Sequence, residues 1–237
     1  MRKSIPITVI LFVLIPFLAV ADPLPVNPGD YSGSRSTPWY DGVVATGDWS
    51  NGISISWKII APNSNSDLWS YTYTVDPVGK KDVGFSIFET GTTATSADFV
   101  FPKGYDVEGP KLWKEGGSST DYMPADIYGI KFDFGGKNSA TYSFQSTLAP
   151  VWGDFYSRDG KSGGITNTAF NVGFGHDPFS QYYTTPWIPT PGARTGVPEP
   201  STAVLLILSM IGFGALKMEK QRLNKIHDLL RKISITR

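Results

Sequence analysis

Short runs in which apolar and polar residues alternate dominate the middle of the chain. The clearest are residues 53–59 and 69–75, where an aliphatic or aromatic residue stands at every odd position and a polar one at every even position. Because successive side chains of a strand point to opposite faces, this pattern predicts β-strands with one buried face. The aromatic residues that these two runs assign to the core are Trp57, Trp69, Tyr71 and Tyr73. Similar short runs lie at residues 83–87, 97–101, 128–134, 142–144, 151–156 and 170–174.

Turn-forming residues separate these runs. Segments such as 63–67, 135–138 and 158–161 are rich in Gly, Asn, Ser, Asp and Lys, a composition typical of tight turns. Together the runs and turns predict an all-β fold, an antiparallel β-sandwich of about eight strands, of which the jelly roll is one form.

The segments on either side of these strands have a different composition. Residues 22–37 are rich in Pro, Gly and Ser and predict a flexible leader, and residues 184–196 carry three prolines and predict an extended stalk. The folded β-sandwich domain is therefore expected over residues 38–183.

The N-terminus has the features of a secretory signal peptide. Arg2 and Lys3 precede an apolar stretch over residues 5–18, and the small residues Ala19 and Ala21 follow it. This order predicts a signal peptide over residues 1–21, cleaved after Ala21 and exported by the Sec machinery. The alternative is an uncleaved membrane anchor, for which the stretch is short.

The C-terminus combines a short motif, an apolar run and a basic cluster. Val197, Pro198, Glu199, Pro200 and Ser201 precede an apolar segment, and a single transmembrane helix is predicted over residues 201–218. The lysines and arginines that follow place the C-terminus in the cytoplasm. Residues 226–237 form a basic extension, either an amphipathic helix on the inner leaflet or a tail that only fixes topology.

This order of motif, span and charge resembles the PEP-CTERM sorting signal of Gram-negative bacteria, over residues 197–225. The resemblance implies processing by exosortase, a transpeptidase-like enzyme of the inner membrane. It further implies transient anchoring in that membrane, then transfer to the cell surface or release, in a bacterium that makes exopolysaccharide and biofilm. A plain C-terminal anchor is the alternative.

Charge and cysteine content exclude several classes of function. Residues 22–200 hold 19 acidic and 12 basic residues, which argues against a nucleic-acid partner. The chain has no cysteine, so thiol nucleophiles and Cys-ligated metal sites are excluded.

Residues that could perform catalysis are few, and none is predicted to be catalytic. Asp154 and Asp159 flank a turn and are weak candidates for Ca²⁺ ligands. His176 precedes an aspartate that could orient it, but a loop histidine at a turn is the simpler interpretation. Any two carboxylates could form a glycosidase pair, and the sequence does not select which. No cofactor is expected beyond this weak calcium site.

Aromatic residues at loops and strand ends are the best indication of a ligand. Trp39, Trp113 and Trp152 are candidates for stacking against sugar rings, because the apolar C–H faces of sugars pack on indole rings. The alternative is that these aromatic residues fill the core of a small sandwich that has no disulfides. The sequence therefore favours a non-enzymatic surface or matrix protein, structural or adhesive, with exopolysaccharide as a candidate partner. The first alternative is a secreted polysaccharide hydrolase. The second is an ice-binding protein, an activity associated with some proteins that carry this tail; it needs a flat face of regularly spaced threonines, and only the short row Ser70, Thr72 and Thr74 approaches one.

Overall fold

A computed structural model describes residues 23–194, except residues 80, 81, 119, 163, 177, 179 and 181. Within this part of the chain the backbone is almost entirely β-strand, and the helical segments are four short 3-10 helices. The all-β prediction is confirmed.

Thirteen strands follow one another along the described chain. They are β1 (Ser32–Ser36), β2 (Val43–Ala45), β3 (Ile53–Ile60), β4 (Trp69–Pro77), β5 (Val83–Glu89), β6 (Phe99–Val100), β7 (Asp106–Trp113), β8 (Ile127–Lys137), β9 (Ala140–Ser146), β10 (Leu148–Gly153), β11 (Phe155–Ser162), β12 (Ile165–Asn171) and β13 (Ile188–Arg194).

The strands form three sheets in which all paired strands are antiparallel. A five-stranded sheet has the order β1-β3-β4-β9-β6, and a six-stranded sheet has the order β2-β12-β11-β5-β8-β7. Strands β10 and β13 pair with each other in a small third sheet. The chain passes from one large sheet to the other after β1, β2, β4, β5, β6 and β8, so each sheet combines strands from distant parts of the sequence.

Aromatic side chains fill the space between the two large sheets. Tyr73 of β4 stacks on Phe88 of β5 at 4.3 Å between ring centroids, and Tyr142 of β9 meets Phe132 of β8 at 5.2 Å. These contacts join strands of opposite sheets, as in a β-sandwich. The four aromatic residues assigned to the core from the sequence are all buried, so that prediction is confirmed. The jelly-roll form stays a prediction.

A second apolar cluster covers the other face of the six-stranded sheet. Phe85, Ile87 and Tyr156 project from that face and pack with Trp113, Met123, Ile127 and Phe174. The segment between β7 and β8 supplies Met123. Asp121 of this segment forms an ion pair at 2.8 Å with Arg158 of β11, which fixes the segment to the sheet. The six-stranded sheet is therefore covered on both faces.

The prediction of a flexible leader over residues 22–37 is wrong for the residues that the structure describes. Val26 is buried in the main core, and its backbone N–H donates to the Pro150 carbonyl at 3.1 Å. Residues 32–36 form β1, which pairs with β3. The small polar residues that suggested flexibility are the alternating residues of an edge strand.

The prediction of a stalk over residues 184–196 is wrong up to residue 194, where the described chain ends. Residues 186–191 are buried and β13 pairs with β10, opposing Pro189 to Trp152 and Pro191 to Pro150. Proline lacks an N–H and is tolerated where no second neighbour needs one. Pro189 and Pro191 meet that condition, since β10 is the one strand that pairs with β13 in the described part of the chain.

Other strands were missed because their sequences do not alternate cleanly. Strand β7 carries Gly109 and Pro110 at a register shift in its pairing with β8, and most of its side chains are exposed or half-buried. Strand β2 has only three residues. Short, bulged edge strands leave little periodicity to detect.

The signal peptide of residues 1–21, the sorting signal of residues 197–225 with its helix 201–218, and the extension of residues 226–237 all lie outside the described residues. Within residues 23–194, no helix has the length and apolar character needed to cross a membrane.

Replacing Ile188 tests whether β13 belongs to the folded core. Ile188 is fully buried, so Ile188→Ala should lower the free energy of unfolding by about 2–5 kcal/mol through lost burial and a cavity. Ile165 is 53% exposed in β12, and Ile165→Ala is the matched control, expected to cost less than about 1 kcal/mol. Urea denaturation measures both. If the two variants lowered the free energy of unfolding equally, β13 would contribute no more to stability than an exposed position, as expected of a stalk.

Candidate functional site

The loop between β1 and β2 exposes two aromatic rings. Trp39 and Tyr40 begin a 3-10 helix, Trp39–Asp41, that ends at Gly42 with φ +103°, and each side chain is 66% exposed. The rings meet edge to face at 6.0 Å. Large apolar side chains are usually buried, so an exposed aromatic pair suggests a contact surface.

A second exposed aromatic pair lies in the loop before β13. Tyr182 is 91% exposed and Tyr183 is 54% exposed. The two loops are tied together, because Arg35 of β1 donates from Nε to the Thr185 carbonyl at 2.7 Å and the Gly42 backbone closely approaches the same carbonyl. We call Trp39, Tyr40, Tyr182 and Tyr183 the aromatic edge.

Arg35 is held in place by the core rather than by an acidic partner. Its guanidinium lies over the Trp57 ring at 4.9 Å and near the Trp152 ring at 6.0 Å. Burial lowers the pKa of Arg35 from its ordinary value, and Asp30 opposes this shift. The cation stays charged and fixes the position of the loop carbonyls.

The outer face of the five-stranded sheet is an array of hydroxyl groups. The polar positions of β1, β3, β4 and β9 face outward, and the antiparallel register aligns them across the strands. One row across the sheet is Ser34, Ser56, Thr74 and Thr141, and the next is Ser32, Lys58, Thr72 and Ser143. We call this surface the hydroxyl face.

Hydrogen bonds between neighbouring strands order part of this array. The hydroxyls of Thr72 and Ser143 are 3.1 Å apart, and those of Thr74 and Thr141 are 3.0 Å apart. The array is larger than the single row Ser70, Thr72 and Thr74 expected from the sequence, because the rows arise from strand register. In each contributing strand, Ser or Thr recurs at the polar positions of the alternation. This pattern could have predicted the array.

An open groove lies where the sandwich edge separates β8 from β9. Its volume is about 490 Å³, and Tyr105, Phe134, Lys103, Lys137 and Asp133 contribute to its lining. We call it the lysine groove. No sequence motif marks the groove, because its residues come from two separate segments, 103–105 and 133–141.

Of the three predicted stacking residues, only Trp39 is accessible. Trp152 is 2% exposed in β10, and Trp113 is 8% exposed. The Trp113 indole N–H donates to the Gly129 carbonyl at 2.9 Å, and the Lys111 ammonium covers the ring at 4.1 Å from its centroid. The prediction of stacking is therefore wrong for Trp113 and Trp152, which pack in the protein.

Asp154 and Asp159 do not form the predicted calcium site. Asp154 immediately precedes β11 and Asp159 lies within it, so five residues of extended chain hold them about 16 Å apart, far beyond the span of one ion's ligands. The Asp154 carboxylate is buried and accepts hydrogen bonds from the Asn171 amide and the Gly175 N–H, both at 2.7 Å. Among the described residues, no group of three or more His, Asp or Glu could hold a metal ion.

Two glutamates that could serve a hydrolase, Glu89 and Glu108, are engaged in structural contacts. Glu89 accepts a hydrogen bond from the Asp154 N–H at 2.7 Å. Glu108 lies between Lys111 at 2.6 Å and Lys131 at 3.4 Å, and Lys111 is the main cause of its lowered pKa. His176 accepts at its carbonyl from the Trp187 indole at 2.6 Å, a backbone role.

The residues predicted for processing cannot be placed on this surface. Ala19, Ala21 and the sorting motif of residues 197–201 lie outside the described residues.

Comparison with known proteins adds no relative. No family model, curated protein or solved structure matches the chain.

Proposed function

We propose that this chain is an exported, non-enzymatic protein of the bacterial cell surface or matrix that binds glycans through the aromatic edge. The observation that carries the proposal is the joining of two exposed aromatic pairs by Arg35, which holds the Thr185 carbonyl at 2.7 Å. Aromatic rings that the protein leaves largely in water, on loops fixed by the core, suit a ligand with apolar faces and hydroxyl edges.

Sugars have this chemistry. The C–H faces of a pyranose ring pack on Trp and Tyr, and the tyrosine hydroxyl supplies hydrogen bonds at the edge of the contact. Trp39 supplies the largest ring of the aromatic edge, and Tyr182 supplies the most exposed one. Exopolysaccharide is the glycan expected at the surface of a bacterium that uses this kind of sorting signal.

We favour binding over hydrolysis because the carboxylates of Asp154 and Glu108 are engaged in contacts within the protein. Asp154 accepts two hydrogen bonds within the fold, and Glu108 belongs to a network of ion pairs with lysines. A glycosidase needs two carboxyl groups facing one sugar, with the acid held protonated near neutral pH. The hydrogen bond from Lys111 instead lowers the pKa of Glu108, the opposite of what a general acid needs.

The proposed route to the surface depends on the two ends of the chain. The N-terminal segment directs export through the inner membrane, and the C-terminal span holds the chain there with its basic end in the cytoplasm. Each proline of the Pro198-Glu199-Pro200 motif favours an extended backbone, which suits the cleft of a processing enzyme. Exosortase-like cleavage near this motif then frees the folded part.

The hydroxyl face supports a second candidate function, binding to ice. Strands in a sheet lie about 4.8 Å apart and alternate residues along a strand about 6.7 Å apart, so outward hydroxyls repeat in two directions. Hydrogen bonds such as that between Thr74 and Thr141 limit their rotation. Such an array can hold water molecules at regular positions, which is what binding to an ice surface requires.

Glycan binding should depend on the aromatic edge. Trp39→Ala and Tyr182→Ala should each weaken binding by about 1–3 kcal/mol, because each removes a stacking ring. Tyr122 is 58% exposed on another loop, so Tyr122→Ala is the matched control and should bind like the wild type. Affinity electrophoresis through gels containing purified exopolysaccharide measures retardation. Thermal melting checks that each variant is folded, and a wild-type chain that is not retarded would contradict the proposal.

Processing should depend on Glu199. Glu199→Ala should leave export intact but trap the chain in the inner membrane with residues 217–237 attached, since the processing enzyme loses its recognition carboxylate. An epitope placed after Arg237 and intact mass of the surface fraction report the outcome, with Glu219→Ala as the control beyond the span. Surface protein that retains residues 217–237 in a host with active exosortase would identify a plain anchor.

Ice binding should depend on the flatness of the hydroxyl face. Thr74→Lys places a long charged side chain in the row of Ser34, Ser56, Thr74 and Thr141, whose side chains all end in hydroxyl groups, and should abolish inhibition of ice recrystallisation. Asn138→Lys adds the same side chain at the exposed turn between β8 and β9 and should have no effect. Wild-type protein that inhibits recrystallisation no better than albumin would exclude this function.

A further inference from the structure

The lysine groove combines an aromatic wall with two ammonium groups. It lies at the edge of the sandwich, where the hairpin from β8 to β9 passes between the two large sheets and the segment from β6 to β7 crosses beside it. Its volume of about 490 Å³ is within the range of small-molecule binding sites, about 300–1,000 Å³.

The aromatic wall is held by contacts within the protein. The Phe134 ring meets Tyr142 edge to face at 4.3 Å and Tyr105 at 5.8 Å. The Tyr105 hydroxyl donates to the Thr141 carbonyl at 3.4 Å, a weak contact that nevertheless orients the ring. The two rings therefore form an apolar patch in a groove whose other lining side chains are polar.

Two lysines of the groove have no acidic partner in the part of the chain that the structure describes. Lys103 and Lys137 are exposed and form no ion pair there, whereas Asp133 is occupied by Lys131 at 2.5 Å. The Lys137 ammonium lies 5.8 Å from the Phe134 ring centroid. Two uncompensated cations beside an apolar wall attract an anion, although residues 22–200 together are acidic.

We infer that the lysine groove binds an acidic sugar unit, a pyranose that carries a carboxylate. The ring face packs on Tyr105 and Phe134, the carboxylate meets Lys103 and Lys137, and Ser139 and Thr141 are available to the ring hydroxyls. Neutral sugars would leave both lysines unpaired, and simple anions would leave the aromatic wall uncovered. The inference rests on the proposed glycan binding only in taking a sugar as the ligand, since the groove is separate from the aromatic edge.

Titration calorimetry of the full-length chain with trigalacturonate and with its methyl ester tests the charge requirement. The ester keeps the shape and removes the charge, so it should bind about tenfold more weakly than the acid. Lys103→Gln combined with Lys137→Gln should weaken binding of the acid about tenfold and leave binding of the ester unchanged. Lys58→Gln, at an exposed lysine of the hydroxyl face, is the matched control and should change neither.

Three results would overturn the inference. They are equal binding of acid and ester by the wild type, unchanged binding of the acid by the double variant, and displacement of trigalacturonate by sulfate at equal concentration, which would show that the sugar ring contributes nothing. Thermal melting confirms that the double variant is folded.

The same titrations separate this inference from the proposed function. Trp39→Ala removes a ring of the aromatic edge and should leave trigalacturonate binding unchanged, while weakening retardation by exopolysaccharide. Loss of trigalacturonate binding in Trp39→Ala but not in the double lysine variant would assign the acid to the aromatic edge and overturn the role of the groove.

Discussion

Tyr73 joins the three sheets of the protein. It belongs to β4 of the five-stranded sheet, its ring stacks on Phe88 of the six-stranded sheet at 4.3 Å, and its hydroxyl donates to the Pro189 carbonyl of β13 at 2.8 Å. Complete burial raises the pKa of Tyr73 well above its ordinary value, so the hydroxyl keeps its proton and remains a donor. A buried carbonyl without this donor would be costly, so the small sheet depends on the same side chain as the main core.

The alternation that buries Tyr73 also creates the hydroxyl face. Its neighbours Thr72 and Thr74 point outward, and the register that aligns Tyr73 with Tyr142 aligns Thr72 with Ser143 and Thr74 with Thr141. A slip of one residue would move the aromatic side chains into water and the hydroxyls into the core. Core packing therefore fixes the geometry of the surface array, and changes to that array need not disturb the core.

The sequence predicted features that depend on local periodicity and failed where distant contacts decide. Alternation identified β3 and β4 and placed Trp57 in the core, but it could not show that residues 188–194 pair with β10. The local sequences around Trp152 and Trp39 gave no reason to expect different burial. Trp152 is buried because β10 packs against the core, whereas Trp39 lies on an exposed loop. The lysine groove has no sequence signature, because hairpin geometry brings its residues together.

The proposed function predicts weak binding at each individual site. An exposed aromatic ring or an exposed lysine contributes modestly to affinity, since water competes for each contact. A polysaccharide repeats its units, and a cell surface that displays many copies of the chain repeats the sites. Linked contacts then raise overall avidity by about 10²–10⁴ over a single site without any new contact. In the proposed function, binding thus depends on sorting: display on the surface supplies the multiplicity that the exposed aromatic edge and the open lysine groove require.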